Sequence, residues 1–131
     1  MADAVNTAGL DQDVALLGYV KPVEPLMWRA DVVVLLSNAE GLPQVLIQAA
    51  AAGVPFVSYD VDGARELIGL GARGVVVPID DRDAAADAVA EFLNGDADRT
   101  VVDVSSWDPA VIHASYRRVV DEVLREVRRA G

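Results

Sequence analysis

The sequence predicts an α/β fold: a Rossmann-like parallel sheet with flanking helices. Short apolar runs rich in β-branched residues alternate with helical segments, the order expected of a sheet built from strand–helix–strand units. The run over 31–36 is continuously apolar after its first residue, which is typical of a strand covered on both faces. The chain has 131 residues, of which 53% are hydrophobic. This is enough to form the core of one domain and too little for two.

The elements are placed by apolar spacing and by the residues that begin and end helices. We expect strands at 13–18, 31–36, 54–58 and 74–77. We expect helices at 24–29, 43–53, 64–68, 81–94 and 109–129. Asp80 or Asp81 is the expected cap of the fourth helix and Asp108 that of the last. Residues 96–107 are expected to form a loop or linker, with 101–104 as a candidate edge strand.

The last helix carries apolar residues at helical spacing, which predicts one face turned toward the core. These residues are Ile112, Tyr116, Val119, Val120, Val123 and Val127.

The strand at 31–36, the turn after it and the following helix form the central unit of the chain. The turn has the sequence SNAEG, and Pro43 then suits the first helical position because its missing N–H costs nothing there. A helix that starts after a parallel strand directs unpaired N–H groups and its positive dipole end into the crevice at the sheet edge. Two interpretations stay open on this spacing: a phosphate site, or an ordinary turn with Glu40 favourably placed near a helix start.

A more specific signal comes from the segment EGLPQVLIQAAAAGVP over 40–55. It resembles the donor-site signature of GT-B glycosyltransferases, in the large retaining group (group 1, family 4 type) that uses nucleotide-sugar donors. The resemblance continues through GYV at 18–20, the loop and helix over 60–68, the element at 74–81 and SWD at 106–108. It covers roughly 110 positions, so the whole chain, 1–131, is identified as a single partial donor-binding domain with a core at 13–95 and a terminal helix at 108–129.

The resemblance implies a role for each matching residue. Glu40 would lie beside the transferred sugar as the catalytic carboxylate, and the turn at Gly41, Leu42 and Pro43 would meet the diphosphate. The family has a second glutamate, which accepts hydrogen bonds from the ribose, and this chain has Gln48 there. Tyr19, Val20 and Gly63 are the remaining implied donor-binding residues, the first two beside the base.

Two departures from the family pattern bear on activity. A neutral acceptor at Gln48 makes a hydrogen bond roughly half as strong as a carboxylate would, and a buried amide satisfied by backbone groups is the alternative interpretation of this residue. The family's first two strands and the basic residues that steady the diphosphate have no counterpart here. We therefore expect the isolated chain to be inactive, with an N-terminal acceptor domain or another chain completing the sheet. The runner-up hypothesis is a non-catalytic relative kept for binding or assembly.

Composition excludes several other classes. A net charge of −10 argues against nucleic acid and anionic membrane surfaces as partners. No apolar run approaches the length of a membrane span, no leader-like segment opens the chain, and there is no cysteine, so we expect a cytoplasmic protein. The resemblance implies a nucleotide diphosphate-sugar as donor substrate, and no cofactor or metal.

Four other candidate features have simpler explanations. His113 lies on the expected solvent side of the last helix, and Trp28 and Trp107 are interpreted as packing anchors. A receiver-like signalling domain with Asp60 as phosphoacceptor lacks the acidic pair and the late lysine that such a site needs, since Lys21 is the only lysine. Most of the aspartates that suggest a metal are explained as caps and loop residues: Asp60, Asp62, Asp80, Asp81 and Asp83.

Overall fold

The computed structural model describes residues 2–95 and 99–130 and confirms the predicted α/β class. Its centre is a three-stranded parallel sheet in the order β1-β2-β3, where β1 is Val33–Leu35, β2 is Phe56–Tyr59 and β3 is Gly74–Val77. Val34 stands opposite Val57, which stands opposite Val75. The helices are α1 (Ala2–Thr7), α2 (Glu24–Arg29), α3 (Gln44–Ala51), α4 (Ala64–Gly69), α5 (Arg82–Asn94) and α6 (Pro109–Ala130), with a 3-10 turn at Ser105–Trp107.

The middle strand carries the core. All four residues of β2 are buried, and Phe56 and Val57 are fully enclosed. Helices α3, α4 and α5 each pack against the sheet, and α3 also packs against α4 and α2. Because both faces of β2 are covered, its sequence, FVSY, does not alternate between apolar and polar residues. Ser58 is the exception, and its hydroxyl donates to the Tyr59 carbonyl over 2.8 Å.

The buried face of α3 holds the layers together. Leu46, Ile47, Ala49 and Ala50 are buried, whereas Gln44 and Ala51 are exposed, so the helix is less completely covered than its apolar sequence predicts. Pro43 precedes the first helical residue instead of occupying it, and its carbonyl accepts from the amides of Leu46 and Ile47. The helix ends as expected before Gly53, which adopts φ +68°.

The predicted strand at 13–18 is wrong. No strand forms there, and every residue from 10 to 20 is exposed. A strand needs hydrogen bonds from a neighbour, and in the described part of the chain β1 is paired only on the side of β2. The apolar sequence of 13–18 is therefore not sufficient to form a strand without a neighbouring strand to pair with.

The prediction that 101–104 forms an edge strand is also wrong. These residues are in no strand, although the Val102 amide donates to the Ala50 carbonyl over 3.2 Å and Val102 is buried. Residues 96–98 of the predicted loop lie outside the described residues.

Helix α6 begins where predicted, because the Asp108 carboxylate accepts from the Ala110 amide over 2.7 Å. Most of the described part of its apolar face is not covered: Tyr116, Val119 and Val120 are all more than half exposed, and Ile112 is half-buried. The side chains of Val123 and Val127 lie outside the described residues. The helix packs mainly against the 3-10 turn, so spacing predicted its amphipathic character correctly and its partner incorrectly.

Candidate functional site

The candidate site is the turn between β1 and α3, which lies at the carboxyl edge of the sheet. Glu40 is half-buried there, Gly41 and Leu42 are exposed, and Pro43 is fully buried. Parallel strands place the ends of β1 and β2 at the same edge, with Leu35 opposite Ser58. The loops that follow these two strands therefore emerge side by side.

Three amides of the segment 40–43 are free to bind a ligand. Within the described part of the chain, the backbone N–H groups of Glu40, Gly41 and Leu42 donate to no other group. The Gln44 amide is already used, since it donates to the Leu42 carbonyl over 2.8 Å. Free N–H groups before a helix start favour an anion, and in this segment Gly41 and Leu42 are the exposed residues that offer them.

The loop after β2 closes directly against this turn. Gly63 precedes α4 with φ +85°, and a Cβ built on it would stand 3.1 Å from Pro43 Cδ. The same position is 3.4 Å from Trp107 Cη2. The starts of α3 and α4 therefore lie against each other at Gly63 and Pro43, and Trp107 packs beside Gly63.

Arg65 is the cation in the loop and helix after β2. Its Nε donates to Asp60 Oδ1 over 2.8 Å and its Nη2 to Asp60 Oδ2 over 2.9 Å. These hydrogen bonds from Arg65 lower the pKa of Asp60. Asp60 thus forms a bidentate ion pair with Arg65 on the protein surface.

Gln48 faces another direction. It lies on α3 in a groove of about 260 Å³ between α2 and α3, lined also by Glu24, Met27, Trp28, Ala51 and Ala52. It is only partly buried, so the fully buried amide of the alternative interpretation is not what forms. The structure thus places Gln48 beside a tryptophan that sequence reasoning had treated as a packing anchor; Trp28 is 65% exposed.

Tyr19 and Val20, the two residues expected near the base, lie in the stretch that forms no strand. Tyr19 is 91% exposed, and its predicted role beside the base stays a prediction. In the described residues, no three histidine or acidic side chains come together in a group that could hold a metal ion. None of the described helices is both long and apolar enough to cross a membrane.

Sequence reasoning missed the long-range contacts of Arg99 and Trp107. Arg99 donates to the carbonyls of Trp28 and Ala30, over 3.2 and 2.9 Å. Trp107 was treated as a packing anchor without a named partner. No local pattern identifies these pairings, because the partners are tens of residues apart in sequence.

Comparison with known proteins identifies the family of this chain. The family model for glycosyl transferases group 1 matches residues 1–95, which include the turn, α3, Gly63 and α4. This chain belongs to the group 1 glycosyl transferases.

Three bacterial relatives illustrate the range of the group. An exopolysaccharide phosphotransferase of Streptomyces coelicolor is 35% identical over 99 residues, which are 74% of this chain and 10% of that protein. The N-acetyl-alpha-D-glucosaminyl L-malate synthase of Bacillus anthracis is 32% identical over 68% of this chain and 23% of its own length. The phosphatidyl-myo-inositol mannosyltransferase of Mycolicibacterium smegmatis is 34% identical over 66% and 24% respectively. The chain thus spans no more than about a quarter of each.

Proposed function

We propose that this chain is the donor-binding part of a glycosyltransferase that transfers a sugar from a nucleotide diphosphate-sugar with retention of configuration. The observation that carries the proposal is the turn at 40–43, where three unpaired amides and a half-buried carboxylate meet at the carboxyl edge of the sheet. The amides suit the diphosphate, since an anion at a helix start gains from both the N–H groups and the dipole. The protein acts in the cytoplasm in this proposal.

Glu40 is the proposed catalytic carboxylate. A diphosphate on Gly41 and Leu42 would leave the attached sugar close to the preceding residue in the chain. A carboxylate there stabilises the positive charge that develops on the sugar ring as the bond to phosphate breaks. Because the charge exists only in the transition state, Glu40 is expected to affect transfer more than donor binding.

The isolated chain is proposed to be inactive. It covers no more than about a quarter of each of the three relatives described above, and a cleft closed by a second domain is needed to hold an acceptor and exclude water. A missing acceptor domain or another chain would supply that closure and pair with the open edge of β1.

Calorimetric titration of UDP, GDP, ADP and their sugars into the folded chain tests donor binding. We expect one nucleotide to saturate, with binding weakened by salt. Leu42→Pro, which removes one free amide, should weaken binding several-fold, while Asp62→Asn in the neighbouring loop serves as the control and should not. A folded sample that binds none of these ligands contradicts the proposal.

Transfer itself is tested in the full-length enzyme. Glu40→Gln should lower kcat by at least about 100-fold with little change in KM, as expected for a group that acts in the transition state. An unchanged kcat excludes Glu40 as the catalytic carboxylate.

A non-catalytic relative is the second candidate, and the observation that favours it is Gln48. The amide stands in a groove beside Trp28 rather than against the turn, and it carries no charge to hold a ribose. Absence of any nucleotide binding, with intact folding, would support this candidate.

A further inference from the structure

Residues 99–107, here called the strap, run along α3 from its end to its start. At the far end Gly53 contacts the strap: a Cβ on Gly53 would stand 3.1 Å from Val101 Cγ2. Val102 then donates to the Ala50 carbonyl near the last turn of α3. At the other end Trp107 reaches Gly63, beside the start of α3.

Two hydrogen bonds within the strap fix its backbone between Asp103 and Trp107. The Asp103 carboxylate accepts from the Ser105 amide over 2.9 Å, which lowers the pKa of Asp103. The Trp107 amide donates to the Val104 carbonyl over 2.9 Å to close the 3-10 turn. These bonds shape the backbone that carries Trp107, and the indole ring packs against the main hydrophobic core.

The indole ring lies beside Gly63, at the junction of the two loops of the candidate site. The tip of Trp107 and the ring of Pro43 meet the same side of Gly63, at 3.4 and 3.1 Å from the position of an added Cβ. The Gly63 carbonyl in turn accepts from the Leu67 amide, the first full helical bond of α4. Removing the ring would therefore leave an unfilled space beside Gly63 and Pro43, and the two loops of the site would be less firmly held relative to each other.

We propose that Trp107 is a positioning residue of the donor site, which acts by filling the space beside Gly63 and Pro43 and touches no substrate itself. The functional half of this inference rests on the proposed donor binding. The structural half, that the ring supports the junction between the starts of α3 and α4, rests only on the contacts described above.

The test uses the 131-residue chain with three variants. Trp107→Ala removes the ring and Trp107→Phe keeps part of it. Val102→Ala is the matched control, since Val102 is a buried residue of the same strap that lies at the opposite end of α3. Urea unfolding of each variant gives the global stability, so that local effects can be separated from it.

Hydrogen exchange tests the structural half. Trp107→Ala should speed exchange of the Leu67 amide by about tenfold beyond the effect of global stability, and Trp107→Phe should restore most of the protection. Val102→Ala should leave Leu67 unchanged. Equal effects of Trp107→Ala and Val102→Ala on Leu67 would overturn the inference, because both residues would then only add stability.

Nucleotide binding tests the functional half. Where the wild-type chain binds a nucleoside diphosphate, Trp107→Ala should weaken it by about tenfold, Trp107→Phe should recover affinity, and Val102→Ala should not weaken it. Unchanged affinity in Trp107→Ala overturns the positioning role. A wild-type chain that binds no nucleotide refutes the proposed donor site and this role with it, while the exchange data still decide the structural contact.

Discussion

Replacing Gly63 by alanine tests the junction at the centre of the site. The residue has φ +85°, a conformation that costs an L-residue about 1–2 kcal/mol. The new Cβ would also stand 3.1 Å from Pro43 Cδ and 3.4 Å from Trp107 Cη2. Pro43 is fully buried and immediately precedes α3, so it can move only at an energetic cost. We expect Gly63→Ala to lower the free energy of unfolding by about 2–3 kcal/mol in total.

Gly71→Ala provides the matched control. Gly71 follows α4 with φ +102°, yet a Cβ there meets nothing within 4 Å, so only the backbone cost of about 1–2 kcal/mol should appear. Urea unfolding followed by far-ultraviolet circular dichroism measures both, and the difference between them is the steric contribution at Gly63. Trp107→Ala should recover part of that difference, because contacting residues are energetically coupled.

The comparison of Gly63→Ala with Gly71→Ala decides whether the starts of α3 and α4 are packed closely together. If Gly63→Ala costs no more than Gly71→Ala, then Pro43 and Trp107 do not confine Gly63. The loops would then be free to separate, and the reasoning about the site would be refuted.

The remaining predictions concern the core, a surface ion pair and the donor site. Gly74→Ala should lower the free energy of unfolding by about 1–3 kcal/mol, since its Cβ would stand 2.6 Å from the fully buried Phe56 ring; an unchanged urea midpoint would contradict this. Arg65 lowers the pKa of Asp60 below its usual 3.8, so the stabilisation is present above that pH and lost as the pH falls through the lowered pKa. Arg65→Gln should raise this pKa in a carbon-13 NMR titration, and no change would exclude the ion pair in solution. Gln48→Glu should tighten nucleotide-sugar binding several-fold if residue 48 accepts from the ribose, and calorimetry showing equal affinity would refute that role.

Elements defined by local chemistry were predicted closely. The strand at 74–77 is confirmed at both ends, and so is the helix Glu24–Arg29. Asp81, one of two candidate caps, accepts from the Ala84 amide over 3.0 Å. A cap and a short apolar run act within a few residues of themselves, so a single sequence contains the information that places them.

Elements that depend on a distant partner were predicted poorly. The run at 13–18 has strand composition and forms no strand, since pairing requires a free edge of another strand in the right place. Tyr116 and Val119 have the spacing of a core face and remain exposed. Spacing identifies an amphipathic helix and says nothing about what covers it.

The sequence by itself determined the class of fold, the turn at 40–43 before α3 and the family likeness that gives the turn a role. These depend on propensities and apolar spacing, which act over a few residues. Only the tertiary structure decided that Gly63 abuts Pro43, that Trp107 packs beside Gly63 and that Gln48 lies beside Trp28. Such contacts join residues 20 to 44 positions apart, and they depend on how closely packed layers meet, which no local pattern records.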